Sequence, residues 1–125
     1  MNPDLALAAE VQAWLEARPP AADSLNAVMA RGIEAALQVP PPALMSDGAG
    51  RVAAVLATAA IDRLEAALRL GDTRDAAPDL LAADALVTYA CEAAADAGPG
   101  TLEALVREFG TSRLARLLPP ETSES

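Results

Sequence analysis

Proline and glycine cut this chain into pieces, and each piece repeats its apolar residues at helical spacing. The cuts are Pro19-Pro20, Pro40-Pro41-Pro42 and Gly98-Pro99-Gly100. Proline has no amide donor and drives the residue before it out of α geometry, so a helix stops at each cut. Between the cuts, apolar side chains recur at three- and four-residue intervals, with no strand alternation and no internal repeat. About a quarter of the residues are alanine, the side chain that loses least on entering a helix. The fold class predicted is all-α, a compact array of about five helices. Residues 1–118 form one domain and 119–125 a disordered polar tail.

The first helix is predicted from Asp4 to Arg18, with Leu7, Val11, Trp14 and Leu15 on one face. The second spans Ser24 to Val39, with Ser24 as N-cap and Leu25, Val28, Met29, Gly32, Ile33 and Leu37 as its stripe. The third, Asp47 to Leu70, is the longest. Its polar residues Arg51, Thr58, Asp62, Glu65 and Arg69 fall in one narrow stripe, and Glu65 stands four before Arg69, an order that favours an ion pair. The rest of its surface is apolar (Val52, Val55, Leu56, Ala59, Ile61, Leu64, Leu68), which predicts a central helix or one covered by a partner. Gly71 suits the left-handed position after it. The fourth, Ala76 to Ala97, carries Pro78 in its first turn and a stripe of Leu80, Ala83, Val87, Cys91 and Ala94. The fifth starts at an N-cap Thr101, with Leu102, Leu105, Val106 and Phe109 inward. Gly110 is a break point, and Leu114, Leu117 and Leu118 continue the pattern. Short links make successive helices antiparallel neighbours. Five short helices do not fully cover two such apolar ones, so an exposed apolar patch and an oligomer are expected.

Composition excludes several functions. The net charge is −9, a field that repels phosphate backbones and anionic lipid headgroups. All nine cations are arginine, and three aromatic residues (Trp14, Tyr89, Phe109) offer little stacking surface. A single cysteine forms no internal disulfide and suits a reducing cytoplasm. The N-terminal stretch is not basic, unlike a signal peptide. Charged residues interrupt every apolar run before the about 18 residues a membrane span needs.

With no histidine and no lysine, neither Ser nor Cys has its usual activating base. Cys91, among alanines on an apolar stripe, reads as a small buried hydrophobe. Asp72 and Asp75 in one loop, and Asp84 and Glu92 on one helix, lack the spacing of a metal site. Asp79, near a helix start, answers the helix dipole. Gly48-Ala49-Gly50-Arg51 lacks the full spacing of a nucleotide loop and reads as a flexible linker. Arg107, Arg113 and Arg116 read as a solvated face. No cofactor or metal is expected, and the chain by itself is not expected to be an enzyme.

The segment Leu80-Leu81-Ala82-Ala83-Asp84-Ala85-Leu86-Val87-Thr88-Tyr89-Ala90 resembles the Leu-Ala-Gly-Asp-x-Leu helix of the all-α trans-polyprenyl diphosphate synthases. Ala83 stands where that family has glycine. The preceding segment, Thr58 to Ala66, lies where the family carries its first aspartate-rich motif. It holds Asp62 and Glu65 but no DDxxD, and the likeness runs from about Val52 to Leu118. In that family the carboxylates of the aspartate-rich motifs hold the Mg²⁺ that stabilises a diphosphate leaving group. Without them the chain is similar to the short non-catalytic subunit of heterodimeric enzymes of this family. That resemblance implies a partial isoprenoid-synthase-like bundle that pairs with a catalytic chain and influences product length. It implies Leu56, Ile61, Leu64, Leu81, Leu86 and Tyr89 as partner contacts or tunnel wall. The alternative is a homo-oligomeric helical adaptor with no isoprenoid role. Either way the partner is a protein.

Overall fold

The computed structural model describes residues 5–19, 21–40, 48–71 and 73–113. These form α1 (Leu5–Glu16), α2 (Asp23–Ala36), α3 (Gly48–Leu70), a 3₁₀ turn (Arg74–Ala76), α4 (Ala77–Ala97) and α5 (Pro99–Leu105), which widens into π-helical turns over Val106–Arg113. No strand occurs among the described residues. The all-α array of five helices is the observed class. No described helix is long and apolar enough to cross a membrane.

α3 is the axis of the fold. Val52 to Ala57, Ala59 and Ala60 are all buried, so its first half is covered on nearly every side. α4 runs back along it and makes the most extensive pairing in the molecule, while α1, α2 and α5 each add a flank. Leu56 and Leu86 are the two leucines among the largest fully buried side chains, and each contributes roughly 2 kcal/mol of apolar burial. Around them the interior is mostly alanine, and no described polar or charged side chain is buried with them. Small residues let helices approach closely. At Gly32, a Cβ would stand 3.0 Å from the Ala59 carbonyl oxygen and 3.0 Å from Arg63 Cγ.

The helix ends depart from the expected ones where caps were inferred. α2 begins at Asp23, and the residue before it, Ala22, supplies no side-chain cap; Ser24 is already inside. Asn26 closes that turn instead, its Nδ2 donating to the Ala21 carbonyl at 3.1 Å. α5 begins at Pro99, not at a Thr101 cap, because Gly98 at φ +125° turns the chain directly into it. Gly71 takes the left-handed conformation (φ +69°) and its N–H reaches the Ala67 and Leu68 carbonyls, as expected of the residue after α3. Gly48 to Gly50 are not a linker but the first turn of α3. Gly110 does not break the last helix; it lies within the widened turns. Asp4, Asp47, Asp72, the Leu114–Leu118 continuation and the 119–125 tail lie outside the described residues.

Two faces are rotated from their expected positions. α4 turns Ala82, Ala83, Leu86, Ala90, Ala93 and Ala94 inward, so Leu80, Val87 and Cys91 are exposed. Cys91 is therefore not the buried thiol that its alanine neighbours suggest. On α5, Leu105 and Phe109 are buried but Leu102 and Val106 are exposed. Alanine and leucine satisfy an apolar stripe equally well, and on α4 the side that turns inward carries one leucine, Leu86, among alanines whose small size lets α3 approach closely.

Candidate functional site

Two concavities flank α4. The first lies between α1, α2 and α4, has a volume of about 530 Å³, and is lined by Leu15, Met29, Ile33, Asn26 and Tyr89 among others. Its corner is a fixed aromatic and ionic clamp. The Arg18 guanidinium lies 3.7 Å over the Trp14 ring. It pairs with Asp96 at 2.8 Å and Glu92 at 3.4 Å, and Trp14 Nε1 donates to the same Asp96 at 3.3 Å. Trp14 meets Tyr89 edge to face with centroids 5.9 Å apart. These groups tie the end of α1 to α4, so the clamp is a fastening rather than a set of free donors.

The second concavity is a nearly wholly apolar groove of about 140 Å³ between α3, α4 and the α5 end. Its lining is Ala57, Ala60 and Ile61 from α3, Val87, Ala90 and Cys91 from α4, and Leu105, Val106, Phe109 and Gly110 beyond. Helical spacing extends its walls. Leu68 stands seven residues after Ile61 on one wall, and Leu80 seven before Val87 on the other. Because α3 and α4 run antiparallel, Leu68 and Leu80 lie toward the same end of the groove. Both are exposed, as are Leu81, Val87 and Val106, at 62%, 44% and 57% of their surface.

The six residues implied as partner contacts are divided by this geometry. Leu56 and Leu86 are spent inside the chain's own core. Tyr89 is half-buried against Trp14 and lines the other cleft. Leu64 is half-buried, Ile61 is a groove wall, and Leu81 stands free on the surface. Sequence reasoning missed Val87, Val106, Leu80 and Cys91 as surface residues, having placed them on inner stripes. The signal that could have found those on α4 is the competing stripe of alanines around Leu86, whose small side chains let α3 come close.

The charged residues are arranged for structure. Arg63 pairs with Asp62 at 2.7 Å and with Asp79 at 2.9 Å, joining α3 to the start of α4. Arg51 pairs with Glu10 at 2.7 Å, joining α3 to α1. The expected Glu65–Arg69 pair does not form. Among the described residues, no three carboxylates or cysteines converge as a metal site. Arg107 is exposed; Arg116 and the Arg113 side chain lie outside the described residues. Comparison with family models, with curated proteins and with solved structures finds no match.

Proposed function

We propose that this chain is a non-catalytic helical subunit that works by binding another protein through the α3–α4–α5 face. The observation that carries this reading is the apolar band around the groove. Scattered surface leucines are ordinary. Here they adjoin one another: Val87 and Val106 line the same groove, Leu102 and Val106 line the next depression, and Leu80 continues the wall from Val87. A contiguous apolar surface on a small protein marks an interaction site. The chain also has no histidine or lysine to act as a base.

The narrower reading is that the partner is a catalytic trans-polyprenyl diphosphate synthase chain, whose product length this subunit influences. It is supported by the α4 likeness and by the way that stretch is used. Leu80, Leu81 and Val87 of the similar segment are exposed and available to a partner.

The test is the mass of the tagged chain at native abundance by sedimentation velocity. The expected result is a complex well above the 12.7 kDa of the chain, released to monomer by Leu80→Asp with Val87→Asp while circular dichroism stays helical. A chain that sediments as a monomer overturns the proposal. If the complex contains a prenyl synthase, adding the chain should change the product length. If it contains only copies of this chain, the adaptor reading replaces the narrower one.

A further inference from the structure

Two exposed carboxylates beside the groove bear on the chemistry of the partner; like Asp23, Glu34, Asp75, Glu103 and Glu108 they have no arginine partner among the described residues, and they differ from those in their place beside the groove. Glu10, Asp62, Asp79, Glu92 and Asp96 are each held by an arginine within the fold. Glu65 and Asp84 are not; both are exposed and neither pairs with any described cation. Their positions correspond. Glu65 lies four residues after Ile61 and three before Leu68 on α3. Asp84 lies four after Leu80 and three before Val87 on α4. Helical spacing therefore places each beside the groove, one on either side and just outside its lining. The same antiparallel register that joins Ile61 and Val87 in one lining brings the two carboxylates to a similar level. The nearby cations, Arg69 and Arg107, are not part of the groove lining.

We propose that the groove between α3 and α4 seats a cationic amphipathic helix of a partner protein. The inference rests on the binding-subunit reading above and names the partner's chemistry. The floor of Ala57, Ala60 and Ala90 projects only methyl groups, so a third helix can approach closely. The depression holds about 140 Å³, near the roughly 150 Å³ that accommodates a benzene-sized group; one leucine or phenylalanine side chain fills it. Lysine or arginine one turn either side of that anchor then faces Glu65 and Asp84. A second copy of this chain is the poorer occupant. Two such grooves face to face would bring two Glu65 and two Asp84 carboxylates together between chains that each carry −9, and like charges across an interface are strongly unfavourable.

Cys91 reports the occupancy directly. It is the one cysteine of the chain, it is exposed, and it lines the groove. The experiment measures its rate of modification by a disulfide reagent such as dithionitrobenzoate on the full chain. The probe is an amphipathic peptide of about 18 residues, or five turns, with leucine at helical spacing and lysine elsewhere. The control keeps every leucine and replaces lysine with glutamate. At tens of micromolar, the lysine peptide should slow modification by about fivefold or more, and the glutamate peptide should not. Raising salt should weaken the protection. Glu65→Lys with Asp84→Lys, both at exposed positions, should reverse the preference. Equal protection by both peptides, or by neither, overturns the proposal. So does protection that grows with protein concentration in the absence of peptide, which would assign the groove to a second copy. A native complex that persists while the lysine peptide leaves Cys91 unprotected sinks this inference alone and leaves the binding-subunit reading standing.

Discussion

Gly32 lies at a close approach of α2 to α3, and its lack of a side chain is what permits it. A methyl group there would press on the Ala59 carbonyl oxygen, which is backbone and cannot retreat, and on Arg63 Cγ, whose guanidinium two carboxylates hold. Alanine gains about 1 kcal/mol over glycine within a helix, but overpacking costs about 1–3 kcal/mol. Gly32→Ala should therefore destabilise by roughly 1 kcal/mol, and Gly32→Val by more; urea midpoints at a constant slope would measure both. Arg63 itself is nearly enclosed, with 13% of its side chain exposed and 14% of Asp79's. Arg63→Met keeps the stem but strands Asp79 without its cation, at about 2–3 kcal/mol. A double-mutant cycle with Asp79→Asn should recover part of that loss, since the pair acts as a unit.

At the scale of elements, α1 is the loosest attachment. It buries only Leu7 and Val11 fully, and the remainder of its grip is the half-buried Trp14 and Leu15 together with the Arg51–Glu10 pair and the Arg18 clamp. Exposed ion pairs contribute about 0–1 kcal/mol and weaken in salt. Amide exchange should therefore find α1 opening at a lower free energy than α3 and α4, whose contacts are apolar and continuous. Arg18→Ala should lower global stability by about 1 kcal/mol or less, yet move the emission of the chain's single tryptophan, because Trp14 loses both the stacked cation and its fixed neighbour. An unchanged emission spectrum would show that the clamp does not persist in solution.

The whole molecule depends on few large side chains. An interior made mainly of alanine packs closely but buries little area per residue, so the leucines within it carry an unusual share of the stability. Leu56→Ala and Leu86→Ala should each cost about 2–5 kcal/mol, against the 5–15 kcal/mol typical of a domain. The double variant should populate unfolded chain at room temperature. Thermal melts followed by circular dichroism would decide, and a double variant that melts cooperatively near the parent would show that the core lies elsewhere. Leu81→Ala, at an exposed position on the same helix, should change stability by less than about 0.5 kcal/mol.

The sequence alone determined that this chain is helical, where the long elements run, and that α3 is central. Those properties are local: proline and glycine stop helices wherever they occur, alanine favours them, and a helix apolar on most sides must be covered. Sequence also made the lack of histidine and lysine plain. What it could not settle is which side of α4 and α5 turns inward: of the expected α4 stripe, Ala83 and Ala94 are buried but Leu80, Val87 and Cys91 are not, because the neighbouring stripe of Ala82, Leu86, Ala90 and Ala93 is equally apolar. That choice belongs to the approach of α3, which settles against the side where Leu86 stands among alanine methyl groups, and leaves Leu80, Val87 and Cys91 outside. The groove and the exposed thiol in its lining exist only because the tertiary structure made that choice.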